Sequence, residues 1–492
     1  MREDWEETTI GKVADYLNGR GFKKSEWETK GLPIIRIQNL NKHDAPFNYT
    51  QNSYEEKYSV KNGDLLFSWS ASLGVYIWNR GDAWLNQHIF KVVPKDFIIK
   101  GYLLHNLQSI IQLLYSKTHG SGMVHITKKN FEATEFHLPP LTEQRAIVSK
   151  IEELFSDLDK GIADLKKAQD QLVIFRQAVL KKAFEGELTK EWREKQTDLP
   201  SADALLEQIK EERQKHYEQQ IEDWKQALKA WGKNGKQGKK PVKPKKLKDA
   251  VLLNKIENGY LSGIPESWLK TNLESIALAV TDGDHQAPPK SESGIPFVTI
   301  SNVKNNKINF SNTYFVPDEY YSSLIEYRKP KIGDVLYTVT GSFGIPVLVN
   351  FEEKFCFQRH IGLVRPLKLV HSNWLFWLLQ TQLMYSQATK KATGTAQKTV
   401  GLASLRSFFT SCCSKEEQHQ IVREIESRLS VCDKVEQSIT ESLEKAKALR
   451  QSILKKAFDG TLLSEEEIAA CKAAPDYEPA SVLLERIKRE KS

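Results

Sequence analysis

Two groups of polar side chains occupy matching places in the two halves of the chain, and their types suit contacts to nucleic-acid bases. Amide, guanidinium and hydroxyl groups read base edges by hydrogen bonds, while lysine and arginine fix the register on phosphates. The candidates of the first half are Arg36, Gln38, Asn39, Asn41, Lys42, Ser68, Ser70, Asn86 and Gln87. Those of the second half are Thr299, Ser301, Asn302, Lys304, Thr338, Thr340, Gln358 and Arg359. The two groups differ in composition, which suits two different targets.

Several neighbouring residues have an equally good structural interpretation. Asn39 and Asn302 stand where turns favour asparagine. His88 and His360 lie beside apolar runs, which favours histidines that pack in a core, and Trp69 is either a packing residue or a stacking platform for a base. Two small-residue loops either approach a phosphate backbone or serve as flexible loops: Gly120-Ser121-Gly122 and Thr393-Gly394-Thr395.

No catalytic or metal-binding set emerges from the motifs. A methyltransferase of flipped bases needs an Asn-Pro-Pro-Tyr-like pocket, but Pro139-Pro140 and Pro288-Pro289 have no amide before them and no aromatic after them. No complete glycine-rich phosphate loop occurs. Cys356, His360 and His371 lack the spacing of a zinc site. We therefore expect a non-catalytic chain that binds no metal or cofactor itself.

The composition limits the class of protein further. The chain has 492 residues and a net charge of +8, and the eight lysines between Lys233 and Lys248 account for that charge. Such a run is usually a solvated linker, with phosphate contact as the alternative. Five cysteines, an odd number, imply no disulfide framework. Without an apolar run of about 18 residues or a signal-like start, we expect a cytoplasmic protein.

The sequence segments that must position the candidates occur twice in the chain, as an internal repeat. The clearest repeat has an offset of 274 residues. It aligns Arg176-Gln177-Ala178-Val179-Leu180-Lys181-Lys182-Ala183-Phe184 with Arg450-Gln451-Ser452-Ile453-Leu454-Lys455-Lys456-Ala457-Phe458. Glu143-Gln144 and Glu417-Gln418 keep that offset, and Trp5 and Trp268 match at 263. The sequence therefore predicts two copies of one module.

Each copy ends in a long heptad pattern, which predicts a helix of a coiled coil. Thr142 and Ser414 are the expected N-caps, the latter with a capping box to Glu417, and Gly186 and Gly460 are the expected stops. The series of the first copy is Ile147, Ile151, Leu154, Leu158, Gly161, Leu165, Ala168, Leu172, Phe175, Val179 and Lys182. The series of the second is Ile421, Ile425, Arg428, Cys432, Val435, Ile439, Ser442, Ala446, Leu449, Ile453 and Lys456. Because the nearest matching seam is on the same chain, we predict that the two helices pair with each other in an antiparallel sense.

A proline-bearing segment leads into a heptad helix, and that layout is repeated; the segment is Leu138-Pro139-Pro140-Leu141-Thr142-Glu143-Gln144. In these two respects the chain resembles the specificity subunits of type I restriction-modification enzymes. The resemblance implies two target-recognition domains, each reading one half of a split double-stranded DNA sequence. It further implies as partners two methyltransferase subunits, which bring S-adenosylmethionine and adenine-N6 chemistry. Two restriction subunits, which act as motor and nuclease with ATP and Mg²⁺, are also implied. The second copy departs from the pattern, because Ser411-Cys412-Cys413-Ser414 replaces the proline-bearing start of the helix.

The predicted fold class is α+β, with two mixed α/β recognition domains joined by an antiparallel intramolecular coiled coil and related by a pseudo-twofold. The predicted segments are recognition domains at 1–140 and 264–413, coiled-coil helices at 141–190 and 414–463, a helical and lysine-rich connector at 191–263 and a tail helix at 464–492. Tyr217, Ile221, Trp224, Leu228 and Trp231 have the spacing of an amphipathic helix in that connector. Two alternatives remain: a coiled-coil structural protein with two protein-binding heads, and a specificity chain of another restriction type.

Overall fold

The computed structural model describes residues 2–116, 126–238, 240–254, 259, 261–395 and 397–489. It consists of two compact units. Unit 1 comprises Met1–Ala168 and Ser438–Ser492, and unit 2 comprises Gln169–Gln437. Each unit therefore contains part of both long helices and does not end where they begin. The loop Gly120-Ser121-Gly122 lies outside the described residues.

Unit 1 contains two four-stranded sheets and one two-stranded sheet. The first is antiparallel throughout, in the order Ala14–Asn18, Ile89–Pro94, Leu65–Ser68 and Gly74–Ile77. The second has a parallel central pair, in the order Asn48–Thr50, Leu32–Ile35, Ala83–Leu85 and Ser59–Val60. The two-stranded sheet pairs Glu6–Thr9 with Glu135–Leu138. The short helices are Ile10–Val13, Lys24–Glu26, Ile37–Asn41, Glu56–Tyr58, Lys100–Ser109, Ile111–Ser116 and Lys128–Glu132.

Unit 2 repeats these sheets in the same chain order. Its four-stranded sheet has the order Ala277–Asp282, Ile361–Pro366, Val335–Thr338 and Pro346–Leu348. A three-stranded sheet, again with a parallel pair, has the order Tyr314–Val316, Ile295–Val298 and Cys356–Phe357. Two-stranded pairs are Leu269–Asn272 with Phe409–Cys412, and Val303–Lys304 with Lys307–Ile308. The short helices are Lys190–Glu194, Ile300–Asn302, Phe310–Asn312, Asp318–Ser323, Glu326–Arg328, Ser372–Leu379, Gln382–Lys391 and Leu402–Arg406. The repeated order confirms two copies of one module with a mixed α/β fold.

The two long helices are Leu141–Phe184 and Lys415–Phe458, each of 44 residues or about 66 Å. In unit 1, Arg450 forms an ion pair with Asp159. In unit 2, Arg176 donates to Asp433 at 2.6 Å and to Glu436 at 2.9 Å. In unit 1 the N-terminal part of the first helix therefore pairs with the C-terminal part of the second. In unit 2 the C-terminal part of the first helix pairs with the N-terminal part of the second. The predicted antiparallel pairing is confirmed within each unit.

The predicted heptad seam is buried along much of its length, including Cys432 and Ile439 in the middle of the second helix, and is wrong at three large apolar positions. Ile151 and Ile425 are fully buried, but Phe175, Val435 and Leu449 are 48%, 41% and 52% exposed. A progressive drift of the 3.6-residue helix from a 3.5-residue repeat does not account for this, because Ala446 and Ile453, on either side of Leu449 in the same series, are buried. The exposure is therefore local to these three positions.

The helix ends agree with the sequence in three of four places. The first helix begins at Leu141, so the prediction of Thr142 as N-cap is wrong, and the Pro140 carbonyl already accepts the Gln144 N–H at 2.9 Å. Ser414 Oγ does cap the second helix by accepting the Glu417 N–H at 3.2 Å. The Glu417 carboxylate bonds elsewhere, so the capping box is only half formed. Gly186 and Gly460 end the helices with φ of +78° and +77°, a conformation that glycine adopts without a Cβ penalty.

The connector contains the predicted amphipathic helix, which spans Ala202–Lys233. The predicted tail helix is two helices, Glu465–Lys472 and Ala480–Arg489. All five cysteines are free and buried, in agreement with the absence of a disulfide framework. Every helix in the described part of the chain is too short or too polar to traverse a lipid bilayer.

Candidate nucleic-acid interface

In unit 1 the predicted base-contacting residues follow the two parallel strands at their carboxyl ends. Ile35 pairs with Leu85 in the parallel register, and the Asn86 N–H donates to the Ile35 carbonyl at 3.1 Å. Arg36 follows the first strand directly, and Asn86 follows the second. Because neighbouring parallel strands end at the same side of a sheet, the two loops lie side by side there. We call this place the edge of unit 1.

Unit 2 builds the same edge from different side chains. Val298 pairs with Phe357 in the parallel register, and the Gln358 N–H donates to the Val298 carbonyl at 3.1 Å. Thr299 and Gln358 therefore occupy the places of Arg36 and Asn86. The edge of unit 2 presents a hydroxyl and an amide where the edge of unit 1 presents a guanidinium and an amide.

A third segment joins each edge through a glycine that approaches the second strand closely. A Cβ at Gly19 would lie 2.0 Å from the Asn86 carbonyl oxygen, and one at Gly283 would lie 1.9 Å from the Phe357 carbonyl oxygen. Only glycine fits at such a distance. The residues after these glycines, Arg20 and Asp284, form isolated parallel bridges to Asn86 and Gln358. Sequence reasoning missed both, although Gly19 and Gly283 differ by 264 residues, close to the 263 of the nearby repeats.

Arg20 is held in place at the edge of unit 1 by an acid and an aromatic ring. Its Nη2 lies 2.8 Å from Glu26 Oε1, and its guanidinium carbon lies 4.3 Å from the centre of the Tyr54 ring. The hydrogen bond from Arg20 lowers the pKa of Glu26 to about 2. Glu26 therefore stays ionised and keeps the Arg20 guanidinium oriented, and the Arg20 side chain is 30% exposed.

Asp284 is held at the edge of unit 2 by two side-chain donors. It accepts from Tyr320 OH at 2.9 Å and from Arg328 Nη1 at 3.2 Å. Burial raises the pKa of Asp284, but the hydrogen bond from Tyr320, backbone hydrogen bonds from Gln286 and His285 and the charge of Arg328 together more than offset this, so the pKa lies below its ordinary value. The two edges thus place side chains of opposite charge, Arg20 and Asp284, at equivalent positions, each paired with a partner of the other sign.

The two candidate asparagines shape the loops from inside. Asn39 Oδ1 accepts the Arg36 N–H at 3.1 Å, and its Nδ2 donates to the Ala45 and Pro46 carbonyls at 3.1 Å each. Asn302 Oδ1 accepts the Thr299 N–H at 2.9 Å in the same way. Asn39 is 2% exposed and Asn302 is 5% exposed. Their structural interpretation therefore holds, and the prediction that they contact bases does not fit this geometry.

Four more candidates are buried hydroxyls behind the edges: Ser68, Ser70, Thr338 and Thr340. Ser68 Oγ donates to the Ser72 carbonyl at 2.6 Å, and Thr338 Oγ1 donates to the Ser342 carbonyl at 2.8 Å. Each bond closes the turn after its strand. Burial keeps all four side chains from an external ligand, and the strands that end at Ser68 and Thr338 are buried at every residue.

Eleven candidates remain at least partly exposed: Arg36, Gln38, Asn41, Lys42, Asn86, Gln87, Thr299, Ser301, Lys304, Gln358 and Arg359. Asn41 accepts from Tyr76 OH at 2.7 Å and donates to Ser72 Oγ at 2.8 Å, which ties its loop to the neighbouring turn. Four of these directly follow the parallel strands at the two edges: Arg36, Asn86, Thr299 and Gln358. That any of them contacts a base stays a prediction.

Trp69 packs within unit 1, as its structural interpretation requires. Its ring stacks on Phe90 with centroids 5.6 Å apart, and its Nε1 donates to Asn18 Oδ1 at 3.2 Å. His88 lies against Trp69 at 4.9 Å and has a positive φ of 73°. Such a backbone is uncommon outside glycine, so His88 marks a constrained turn at the end of the edge.

In unit 1 a tryptophan and two polar helix residues fasten the recognition fold to the long helix. Trp5 Nε1 donates to Glu143 Oε2 at 2.9 Å. Gln144 accepts the Ile99 N–H at 2.8 Å and donates to two backbone carbonyls at 3.1 and 3.0 Å. The start of the helix is therefore bonded to three separate parts of the fold.

Unit 2 repeats this arrangement with additional donors. Glu417 accepts from Trp268 Nε1 at 2.9 Å, from Thr189 Oγ1 at 2.8 Å and from Arg193. Gln418 donates to the Cys413 carbonyl at 2.9 Å, the counterpart of a Gln144 bond. The cysteine-bearing start of the second helix thus reproduces the contacts of the proline-bearing one.

The three residues considered for zinc do not converge. Cys356 Sγ is buried beside the Pro296 carbonyl at 3.8 Å, and His371 lies against His419 at 4.2 Å. Among the described residues, the only ligand atoms of three such side chains that cluster belong to Glu7, Glu135 and His137, all at least partly exposed.

The family model for the type I restriction modification DNA specificity domain matches residues 2–167 and 266–445. The chain belongs to this family. The two matched stretches carry the two edges, so each copy of the module is one DNA specificity domain. This confirms the resemblance drawn from the sequence.

The similarity to known proteins extends over nearly the whole chain. The EcoBI specificity subunit of Escherichia coli is 25% identical over 502 residues, which covers 100% of this chain and 93% of the relative. The EcoKI specificity subunit of Escherichia coli strain K12 is 22% identical over 524 residues, which covers 100% and 96%. A chain from a solved structure on complex assembly and conformational transition of the type I R-M system has a TM-score of 0.62 at 18% identity. It covers 94% of this chain and 99% of its own, and shows the same fold. This type I specificity chain thus aligns with its relatives over nearly their full length.

Proposed function

We propose that this chain selects a bipartite double-stranded DNA target, with one half-site contacted by the edge of each unit. Three segments meet at each edge in the same geometry, and the exposed side chains differ between the two. That repetition with different chemistry is the observation that carries the proposal. It favours two unlike half-sites over one symmetric site, because the direct reading of bases depends on the donors and acceptors presented.

The partners follow from the family and are proposals for this chain. Two methyltransferase subunits bring S-adenosylmethionine and methylate adenine N6, and two restriction subunits bring ATP and Mg²⁺ for translocation and cleavage. The chain itself supplies binding and positioning, without a cofactor of its own. We place the complex in the cytoplasm, where its DNA substrate lies.

Exposed apolar side chains on the paired helices of unit 2 suit contact with the methyltransferase subunits. Val173, Ile174 and Phe175 of the first helix are 61%, 70% and 48% exposed. Val431 and Val435 of the second helix are 60% and 41% exposed. Contiguous exposed apolar residues mark protein interfaces, since water disfavours them on a free surface.

The double variant Ile174→Asp and Val431→Asp is expected to abolish co-purification with the methyltransferase subunit. Buried carboxylates without partners are costly at an interface, whereas both side chains are already in water in the free chain. Folding, followed by circular dichroism and thermal melting, should stay unchanged. As the control, Glu441→Gln changes an exposed helix residue elsewhere and should leave the complex intact. Normal assembly of the double variant would place the partner elsewhere.

Methylation mapping tests the function directly. DNA is exposed to the full chain with its cognate methyltransferase, and modified adenines are located by long-read sequencing. We expect a motif of two short specific parts separated by unspecified bases. Substitution of Gln358 and Arg359 by alanine should relax only one part, and substitution of Gln38 and Gln87 only the other. A contiguous motif, or relaxation of the same part by both variants, would contradict the proposal.

A further inference from the structure

The lysine-rich segment after the connector helix is fastened to that helix by two tryptophans. Trp224 Nε1 donates to the Pro241 carbonyl at 3.1 Å, and Trp231 Nε1 donates to the Gly238 carbonyl at 3.2 Å. The Lys236 N–H bonds back to the Trp231 carbonyl at 3.0 Å. The chain therefore turns at the helix end and returns alongside it. We call the end of this hairpin, with Lys233, Lys236 and Lys240, the lysine tip.

The base of the hairpin is fixed by a buried arginine. Arg213 is 6% exposed, and its guanidinium donates to the carbonyls of Glu274 at 2.8 Å, Ser275 at 3.0 Å and Ala277 at 3.1 Å. It also donates to the Lys248 carbonyl at 2.6 Å. One side chain thus joins the helix, the returning segment and the first sheet strand of the recognition fold. The interpretation of this segment as a free linker does not hold for its described residues; Lys239 lies outside them.

The tip of the hairpin carries positive charge without acidic partners among the described residues. Residues 224–248 include ten lysines and no acidic residue. Each of the tip lysines is exposed, and none has a carboxylate within ion-pair distance in the part of the chain that the structure describes. At the base, by contrast, Lys248 Nζ lies 3.6 Å from Glu274.

The direction of the helix brings the tip to the side of the edge of unit 2. Arg213 lies level with the start of strand Ala277–Asp282, through its bond to Ala277. Seven residues later, Gln220 contacts Tyr327 OH, and the next residue, Arg328, bonds Asp284 at the edge. The helix therefore runs the same way as the strand. It continues 13 residues past Gln220 to Lys233, about 20 Å.

We propose that the lysine tip binds phosphates of the DNA duplex that flanks the half-site contacted by unit 2. This rests on the proposed function, because the edge must face DNA for the tip to meet the same duplex. Lysine is a point-charge ligand that suits phosphates. The cores of protein interfaces are depleted in lysine, which disfavours a protein partner at the tip. The contact adds affinity without sequence information and anchors unit 2 beside its half-site.

The test compares two triple variants that each remove three positive charges from the full chain in complex with its methyltransferase. The tip variant is Lys233→Gln, Lys236→Gln and Lys240→Gln. The matched control is Lys245→Gln, Lys246→Gln and Lys248→Gln at the base. Binding is measured from about 50 to 200 mM salt on a duplex with the mapped motif and on a random duplex of equal length.

For the tip variant we expect the slope of log K against log salt to fall by about 2 to 3, and affinity at about 100 mM salt to fall about tenfold on both duplexes. The ratio of affinities for motif and random DNA should stay unchanged, and the base control should lose less than about twofold in affinity.

Equal losses in the two variants, or none, would overturn the inference. So would loss of the methyltransferase from the tip variant with DNA slope unchanged, which would make the tip a protein contact. A missing motif preference in the unmodified complex would contradict the proposed function instead, while the salt slopes still test the tip.

Discussion

Gly283→Ala is expected to remove recognition of one half-site and to leave the other intact. The new Cβ would lie 1.9 Å from the Phe357 carbonyl oxygen and 2.5 Å from the Gln358 carbonyl carbon. Both neighbours are backbone atoms and cannot rotate away, so the segment with Asp284 must separate from the segment with Gln358. Since each specific base pair contributes about 1 to 3 kcal/mol, loss of several contacts lowers affinity for the full motif by about 100-fold or more.

The measurement is competition binding with duplexes altered in one half at a time. The Gly283→Ala complex should no longer discriminate changes in one half but should still respond to changes in the other, and Gly19→Ala should show the reverse. Gly161→Ala is the control, because no atom lies within 4 Å of its Cβ position. It should leave binding unchanged and stabilise the helix by about 0.5 to 1 kcal/mol. Full discrimination of both halves by the Gly283 variant would refute the assignment of the edge.

Glu417→Gln is expected to lower the free energy of unfolding of unit 2 by about 3 kcal/mol, within the range for breaking a buried charged pair. The carboxylate accepts from Trp268, Thr189 and Arg193 and is 1% exposed. An amide has only one acceptor oxygen, so its NH₂ group would face a donor, and the Arg193 charge would lose its counter-ion.

Urea unfolding followed by tryptophan fluorescence measures this effect. Glu416→Gln is the matched control, since the neighbouring carboxylate is exposed and should change stability by less than about 0.5 kcal/mol. Glu143→Gln in unit 1 should have a smaller effect than Glu417→Gln, because Glu143 has one close donor, Trp5, and an Arg2 nitrogen at 3.7 Å. Equal midpoints for the Glu416 and Glu417 variants would show that the bonds do not stabilise the start of the helix.

The duplication, the long helices and their glycine stops are predictable from the sequence because local patterns encode them. The burial of each seam position is not, since a heptad count does not distinguish the exposed Leu449 from the buried Ala446 and Ile453 beside it. Of the seventeen predicted contact residues, six are buried, including Asn39 and Asn302. Residue type alone does not distinguish a side chain that shapes a loop from one that faces outward.

Other features depend on contacts between residues far apart in the sequence. Arg20 joins the edge only because Gly19 lets its segment approach Asn86. The lysine hairpin is held by Arg213, whose carbonyl partners include residues more than 60 positions away. A charge run without acids indicates a linker until such a distant anchor is known.

The buried asparagines hold the recognition loops through backbone atoms, which leaves the outermost side chains without a folding duty. Lys42, Gln87, Lys304 and Arg359 make no side-chain hydrogen bond or ion pair within the described chain. Their replacement therefore costs little stability, whatever it does to base preference. New specificities can arise by point mutation on an inherited framework, and a library randomised at these four codons should yield mostly folded protein.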